Sequence, residues 1–217
     1  MSTPTLKSKR HQGRPALKSK GVGSEKIVNA TISLLKKKKP SQITQSLVAQ
    51  KAGVDPKLVR YSFGDLDTLM EATLSTLVEE LSLVMSEATQ QGESATEKMV
   101  SRISALTGVF LKNPNAWQMI VSNIYGTKSK FALKTRTTLN INGYDRLNQV
   151  ISLGRKNGEF RDDFDDRFLY VALIGLSEIF VTARPLFEVF TPKFDSKTLE
   201  SEYVNFITDL VLRAIAK

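Results

Sequence analysis

The stretch ITQSLVAQKAGVDPKLVRYSF, residues 43–63, contains two short helix patterns separated by a sharp break. Thr44 is placed to cap the first helix, and Asp55 is placed to cap a second helix that starts at Pro56. Between them lies Gly53, which can adopt the positive φ that a tight corner between two packed helices requires. The stretch therefore predicts a helix-turn-helix rather than one interrupted helix.

The two helices of this unit divide into an apolar side and a side with residue types that bind DNA grooves. Six apolar side chains are expected to face inward: Leu47, Val48, Ala52, Val54, Val59 and Phe63. The opposite side offers Lys and Arg, which bind phosphate or guanine, and Tyr and Ser, which reach phosphate oxygens. The predicted DNA contacts of this unit are Thr44, Pro56, Lys57, Arg60, Tyr61 and Ser62. The alternative interpretation is a surface helix whose charge is incidental.

The positive charge of the chain is concentrated in the same region. Residues 1–63 hold 14 lysines and arginines against two acidic residues, whereas residues 64–217 hold 17 against 20. An excess of positive charge on one part of a protein attracts polyanions. Nucleic acid is favoured over a membrane surface because no strongly apolar face accompanies these charges.

The segment before the first helix, residues 1–23, is rich in Lys, Ser, Thr, Pro and Gly and has few apolar side chains. That composition predicts a disordered basic arm. Within the arm, Gly13-Arg14-Pro15 is similar to motifs that place an arginine in a narrow minor groove, so Arg14 is a candidate DNA contact. An ordinary disordered tail is the alternative.

Helical periodicity continues through the rest of the chain, with little sign of strands. A first helix is expected from Ser24 to the KKKKP sequence, and a long helix is expected from Asp65 to about Gln91. The expected fold is all-α, with a DNA-binding domain at residues 24–66 and a helical domain at residues 67–217. Further helices are predicted at about 95–112, 114–126, 129–156, 165–184 or somewhat beyond, and 197–216, with one of the breaks at Pro185.

The sequence AQKAGVDPKLVRYSFGDLDTLMEATL resembles the signature of TetR/AcrR-type transcriptional regulators. In that family Ala-Gly-Val opens the turn, a Ser or Asp caps the recognition helix, and an aromatic residue near its end precedes a long connecting helix. The match covers about residues 24–74, and it departs from the family pattern at Val59-Arg60 and at Leu66. The resemblance implies a homodimeric DNA-binding regulator, more often a repressor, with a palindromic operator and a C-terminal domain for dimerisation and effector binding.

The helix predicted at 165–184 is apolar almost all round, which indicates a second packing partner beyond its own core. As the resemblance implies, this helix and the last helix would form half of an intersubunit four-helix bundle. The predicted interface residues are Leu169, Leu173, Leu176, Phe180, Tyr203, Phe206 and Leu210. Deep burial within one subunit is the alternative.

The middle helices offer aromatic surface with a few polar groups, which is the usual mixture in small-molecule sites. The candidate effector-pocket residues are Trp117, Met119, Asn123, Tyr125, Phe131, Arg136 and Tyr144. Ordinary packing or surface exposure is the alternative for each of them. The chemistry of an effector is not readable from these residues.

The residues that many enzymes and metal sites need are scarce. The chain has no cysteine and one histidine, His11, which lies in the predicted arm. Histidine-based triads and histidine or thiolate metal sites are therefore nearly excluded, and no cofactor is expected. Asp162, Asp163, Asp165 and Asp166 lack the spacing of a calcium loop and are interpreted as the cap of the following helix.

The longest apolar run, FLYVALIGLSEIFVTA, contains Glu178 and is shorter than the roughly 20 residues of a membrane span. With no cysteine and no secretory signal pattern, a cytoplasmic protein is expected. The favoured function is transcription regulation by a DNA-binding homodimer. The alternative is a module of the same fold that organises nucleic acid or binds a protein without a small-molecule switch. An enzyme ranks third.

Overall fold

The computed structural model describes residues 22–120, 126, 128–190 and 195–217. Within these residues the chain forms ten α-helices and no strand, so the predicted all-α fold is confirmed. None of the described helices is both long and apolar enough to cross a membrane. The helices are α1 (Val22–Leu35), α2 (Gln45–Ala52), α3 (Pro56–Phe63), α4 (Leu66–Gln90), α5 (Ala95–Lys112), α6 (Pro114–Ile120), α7 (Lys130–Asn157), α8 (Asp166–Thr182), α9 (Arg184–Phe190) and α10 (Ser196–Ile215).

Side-chain caps determine where several helices start, as the sequence pattern predicts. Thr44 Oγ1 accepts a hydrogen bond from the Leu47 amide at 3.2 Å, and Asp65 Oδ1 accepts one from the Thr68 amide at 2.7 Å. Each cap satisfies an amide group that the start of a helix leaves without an intrahelical acceptor. The predicted starts of α2 and α4 are therefore confirmed.

Two predicted helices differ at their ends from the structure. α1 begins at Val22, so Ser24 lies inside the first turn instead of capping the helix. The helix predicted at 114–126 is described as α6 only as far as Ile120, and residues 121–125 lie outside the described residues. The predicted types of both helices are nevertheless confirmed.

The helix predicted at 165–184 or somewhat beyond corresponds to α8, and a separate short helix, α9, comes after it. α8 ends at Thr182, where the Ala183 amide donates to the Ile179 carbonyl at 2.8 Å, and α9 follows directly. Pro185 is the second residue of α9, where the missing amide hydrogen of proline costs no intrahelical hydrogen bond. The predicted helix is therefore confirmed as α8, and only its extension beyond residue 184 as the same helix is wrong, because proline starts a new helix more readily than it continues an old one.

The first hydrophobic core joins the helix-turn-helix to later helices. It contains buried side chains of α1, α2 and α3 together with side chains of α4, α5 and α6. Ile27, Leu35 and Val48 are fully buried in it. Phe110 and Trp117 belong to the same core, so the helix-turn-helix is packed continuously onto the middle helices.

The second hydrophobic core lies among α5, α7, α8 and α10. One of its largest buried side chains is Phe160, in the loop after α7. Its ring packs directly on α7 at Gly154, where any Cβ atom would overlap the ring. Gly154 lies within a regular helix, so close packing rather than an unusual backbone conformation requires this glycine.

Glu159 connects the end of α7 to the start of α5. Its carboxylate accepts hydrogen bonds from the amides of Ala95 at 3.1 Å and Thr96 at 2.9 Å, and from the Thr96 hydroxyl at 2.8 Å. Burial alone would raise the pKa of Glu159, but these hydrogen bonds stabilise its charged form and lower the pKa to about 2. The carboxylate thus anchors the start of α5 and meets the positive end of its dipole.

Candidate DNA-binding surface and ligand cavity

The corner between α2 and α3 is made by a glycine in the left-handed region. Gly53 has φ 61° and ψ 45°, and its amide donates to the carbonyls of Ala49 and Gln50. The Val54 amide also donates to the Ala49 carbonyl, at 3.0 Å. A residue with a Cβ atom is strained in that conformation, so the sharp turn before α3 depends on this glycine.

The ends and the buried face of α3 determine which of its side chains reach solvent. Asp55 Oδ1 caps the helix by accepting a hydrogen bond from the amide two residues later, at 2.7 Å. Val59 and Phe63 are buried in the first core. Gln45 Nε2 donates to the Gly64 carbonyl at 3.2 Å, which ties the start of α2 to the end of α3. The orientation of α3 on the core is therefore fixed at both of its ends.

The exposed face of α3 carries the residue types that suit a DNA groove. Four predicted contacts are exposed on this helix: Pro56, Lys57, Arg60 and Tyr61. Tyr61 keeps 79% of its surface accessible, whereas Ser62 is half-buried. Thr44 is exposed, and its hydroxyl serves as the cap of α2. Arg14 lies outside the described residues. Positions 57, 60 and 61 share one helix face because they are three and four residues apart.

A cavity of about 180 Å³ lies between α4, α5, α7 and α8, and Trp117 of α6 also lines it. Most of its walls are aliphatic or aromatic. Besides Trp117, six lining residues carry polar or charged groups: Glu79, Ser82, Arg102, Asn142, Arg146 and Tyr170. An apolar cavity with a few polar groups is the usual form of a small-molecule site.

Arg102 is the most unusual of these residues, because only 4% of its surface is exposed. Its guanidinium donates to the Thr89 hydroxyl at 2.5 Å and to the Gly143 carbonyl at 3.4 Å, while its Nε has no partner among the described residues. Burial lowers the pKa of Arg102 to about 10, so the side chain remains charged at neutral pH. A buried cation whose described partners are all uncharged is costly in free energy.

A second arginine lines the same cavity. Arg146 on α7 donates from Nη1 to the Ser82 hydroxyl on α4 at 3.0 Å. Nearby, Tyr170 of α8 packs against α7 at Gly143, where an added Cβ atom would lie 2.6 Å from the tyrosine hydroxyl oxygen. Glu79 is the one carboxylate among the described lining residues, so positive groups outnumber negative groups around the cavity.

A second cavity, of about 240 Å³, shares a wall with the first. The shared residues are Leu81, Phe110 and Trp117, and the rings of Phe110 and Trp117 lie 4.0 Å apart between centroids. The Trp117 indole Nε1 is buried and has no hydrogen-bond acceptor among the described residues. The residue that lines both cavities thus carries a hydrogen-bond donor without an acceptor.

The predicted effector-pocket residues are only partly placed at a cavity. Trp117 lines both cavities, whereas Met119 is buried in the first core and Phe131 packs against that core. Arg136 and Tyr144 do not line either cavity. Asn123 and Tyr125 lie outside the described residues. The side of α7 that lines the first cavity is formed instead by Leu139, Asn142, Gly143 and Arg146.

The most informative cavity residue that sequence analysis missed is Arg102. It lies on the apolar face of α5 that also contains Met99, Ile103 and Leu106. Arg102 lies three residues after Met99 and directly before Ile103, both of which are core positions. Helical periodicity could therefore have identified it as a charged residue on an apolar face. The contributions of Arg146 and Tyr170 depend on how α7 and α8 cross, which no local pattern indicates.

The predicted dimer-interface residues fall into three groups by exposure. Phe206 and Leu210 are exposed; Leu169, Leu176 and Tyr203 are half-buried; and Leu173 and Phe180 are buried within the protomer. Phe180 stacks on Tyr203 with ring centroids 4.3 Å apart, and the Tyr203 hydroxyl donates to the Leu176 carbonyl at 2.6 Å. The assignment of Leu173 and Phe180 to an intersubunit surface is therefore corrected, because both pack inside one protomer.

Three further apolar side chains of α8 are exposed: Phe168, Val171 and Ile179. Their spacing of three and eight residues places them on one side of the helix. Together with Phe206 and Leu210 of α10, they define what we call the C-terminal apolar face. An exposed group of large apolar side chains of this kind is typical of a surface that binds another protein.

A helix-turn-helix packed on a helical bundle with a cavity is the architecture of a class of DNA-binding regulators. Residues 96–211, more than half of the chain, match a family model described as the tetracyclin repressor-like C-terminal domain. The chain belongs to the TetR family of transcriptional regulators. Comparison with curated proteins finds no match.

Solved structures of this fold are similar over nearly the whole chain. A regulatory protein of the TetR family from Rhodococcus has 15% sequence identity and a TM-score of 0.68, covering 91% of this chain and 98% of that chain. The ketosteroid transcriptional regulator of Mycobacterium tuberculosis has 14% identity and a TM-score of 0.68, covering 94% and 100%. A TetR-family regulator from Thermus thermophilus has 18% identity and a TM-score of 0.66, covering 86% and 97%. These likenesses show a common fold.

Proposed function

We propose that this TetR-family protein is a homodimeric repressor that binds a palindromic operator and leaves it when a small molecule binds. Repression with effector release is typical of the family. In this proposal the basic segment before α1 is an arm, α1 to α3 bind DNA, and residues 67–217 dimerise and bind the effector; the predicted arm of residues 1–23 is shorter by the two residues that start α1. The observation that carries the proposal is the exposed, capped and cationic face of α3 on a buried apolar base.

The exposed residues of α3 divide the work of DNA recognition. Lys57 lies in the first turn, the part of a recognition helix that usually enters the major groove and meets base edges. The Tyr61 hydroxyl, one turn later, reaches a phosphate oxygen. Arg60 can serve either purpose, since its planar fork fits both guanine and phosphate. Specificity is therefore assigned mainly to Lys57, and affinity without specificity mainly to Tyr61.

The C-terminal apolar face supports the homodimer. Its five side chains come from α8 and α10, which are held together in one protomer by the Tyr203–Leu176 hydrogen bond. A second copy that packs the same face by two-fold symmetry would bury these side chains on both protomers. Two copies of α3 would then meet half-sites whose centres lie about one helical turn of DNA, ~34 Å, or a multiple of it, apart.

A short path connects the cavity to the DNA-binding helices. Trp117 on α6 lines the cavity, and Asn115, two residues earlier, donates from Nδ2 to the Leu35 carbonyl at the end of α1 at 2.9 Å. α1 packs on both α2 and α3. A ligand that displaces Trp117 would therefore shift α6 and α1, and with them the position of α3.

Selection from random DNA duplexes tests the proposal. The full-length wild type is expected to enrich a palindrome, and Lys57→Ala is expected to relax preference at one or two positions per half-site, costing roughly 1–3 kcal/mol against the best sequence. Lys156→Ala removes an exposed lysine near the far end of α7 and serves as the matched control, with unchanged preferences expected.

Two results would contradict parts of this proposal. Enrichment of no palindrome would contradict dimeric, sequence-specific recognition and would favour a protein that organises nucleic acid. A Lys57→Ala protein with every base preference intact would contradict the role of Lys57.

Tyr61→Phe is expected to weaken binding to all sequences nearly equally, because phosphate contacts carry no base preference.

A further inference from the structure

Two residues that line the cavity between α4, α5, α7 and α8, Arg102 and Trp117, each carry a buried hydrogen-bond donor without an acceptor. Arg102 Nε and Trp117 Nε1 are both buried, and neither has a hydrogen-bond partner among the described residues. Guanidinium and indole nitrogens can donate but cannot accept. A ligand that satisfies them must therefore present acceptor atoms, and an alcohol or amide would satisfy them less well than an oxygen-rich group with no donors of its own.

The charge around the cavity also favours a ligand with acceptor groups, and in particular an anion. The described partners of Arg102 are the Thr89 hydroxyl and the Gly143 carbonyl, which are neutral acceptors and leave the buried positive charge uncompensated. Arg146 adds a second positive group to the lining against the single carboxylate of Glu79. If Arg102 served only to link α4 and α7 through these two hydrogen bonds, a neutral donor would be sufficient. An anion bound beside Arg102 would offset part of the cost of an uncompensated buried cation.

The size and walls of the cavity limit the rest of the ligand. Its volume is about 180 Å³, and its lining is largely apolar. A dry apolar cavity of about 150 Å³ accommodates one benzene ring. The cavity therefore fits a single ring or a short aliphatic chain next to the anionic group.

We propose that the cavity binds a small apolar carboxylic acid, with the carboxylate held by Arg102 and Arg146 and the ring or chain held by the apolar walls. The bidentate geometry of a carboxylate matches the fork of a guanidinium. This assignment names the class of effector in the function proposed above, and only its effect on DNA binding rests on that proposal.

The single tryptophan supplies the measurement. Because Trp117 lines the cavity and the chain has no other tryptophan, its fluorescence reports on ligands that enter. The full-length protein is titrated with benzoate and phenylacetate, and with benzamide and phenylacetamide, which have nearly the same shape but no charge. We expect saturable changes with both acids and affinities about tenfold or more above those of the amides. Equal affinities, or no saturable change with either acid at millimolar concentration, would overturn the proposal.

Substitutions then locate the anion. Arg102→Gln is expected to weaken benzoate binding roughly tenfold or more. Because this change also removes ties to Thr89 and Gly143, Arg146→Gln is measured as a second variant with a less buried side chain. Arg161→Gln removes an exposed arginine from the loop after α7 and is the matched control, with unchanged affinity expected. Benzoate affinity that is unchanged in both Arg102→Gln and Arg146→Gln would overturn the proposed site.

Operator binding, measured on the same samples, separates this inference from the proposed function. Carboxylate binding that leaves operator affinity unchanged would support the site and contradict effector release. Specific operator binding by a protein that does not prefer acids to amides would overturn the ligand class and leave the regulator intact.

Discussion

The helix-turn-helix and the C-terminal bundle distribute their side chains in opposite ways. In the helix-turn-helix Val59 is buried and Lys57 and Arg60 are exposed, as in most soluble proteins. In the bundle a charged residue, Arg102, is buried, while Phe168 remains 75% exposed on α8. Both departures cost free energy in an isolated protomer. In the proposed function a second copy covers Phe168 and a bound anion pairs with Arg102, whereas the side chains of the helix-turn-helix require neither.

The largest expected effect comes from placing a charge on the C-terminal apolar face. Phe206, 62% exposed, becomes buried in the proposed dimer, so Phe206→Glu should raise the dimer dissociation constant about 100-fold or more, because each protomer would bury an unpaired charge. Sedimentation equilibrium measures this change. Leu83→Glu changes another exposed apolar residue, on α4, and should leave the dimer intact. A wild type that stays monomeric at micromolar concentration, or equal effects of the two variants, would refute the assigned face.

A second substitution tests how strictly the bundle is packed. Gly154→Ala places a methyl group in the space of the Phe160 ring and should lower the free energy of unfolding by about 1–3 kcal/mol. Gly108→Ala, on α5, meets no atom within 4 Å and should raise stability by roughly 0.5–1 kcal/mol, since alanine favours a helix over glycine. Urea denaturation measures both. A Gly154→Ala protein as stable as wild type would show that the close approach of Phe160 to α7 does not contribute to the free energy of unfolding.

The corresponding test in the helix-turn-helix concerns backbone conformation rather than space. Gly53→Val forces a β-branched residue to φ 61° and should cost roughly 1–2 kcal/mol locally, with loss of operator binding. Gly53→Asn should retain most binding, because asparagine tolerates the left-handed region. Circular dichroism and operator titration are measured together. Normal affinity in a folded Gly53→Val protein would show that the turn does not need a glycine.

The smallest effect concerns acid stability. Because the pKa of Glu159 lies near 2 in the folded protein and near 4.5 ordinarily, its stabilising contribution is present above about pH 4.5 and is lost as the pH falls toward 2. Glu159→Gln should therefore lose less stability than wild type between about pH 6 and about pH 3, as measured by urea denaturation. Glu87→Gln, an exposed residue of α4, should follow the wild-type curve. Equal pH dependence in all three proteins would argue against Glu159 as the anchor of α5.

The sequence predicted the helix-turn-helix almost residue by residue because its determinants are local. Thr44, Gly53 and Asp55 act on neighbours within four positions along the chain, so their roles are visible in a short stretch. The family match, by contrast, falls on residues 96–211, where the sequence pattern indicated helices but few of their contacts. Periodicity predicts that a helix has an apolar face, but it does not determine what that face meets.

The cavity shows why the contacts among the C-terminal helices were not predicted from the sequence. Arg102, Arg146 and Trp117 belong to three different helices, and they come together only because of how those helices cross. Phe180 was expected at an interface because it is apolar on an apolar helix, yet it stacks on Tyr203 inside the protomer. Distinguishing a core position from an interface position on a helix that is apolar all round requires the packed structure.

The contact between Gly143 and Tyr170 has a consequence for how such a regulator diversifies. A single missing methyl group lets α8 approach α7 and sets the position of the tyrosine in the cavity wall. Glycine and alanine codons differ by one nucleotide, so one mutation at position 143 would push the ring aside and reshape the cavity. The exposed side chains of α3 would stay unchanged. In the proposed function, a lineage could therefore acquire a response to a new metabolite while it continues to control the same genes.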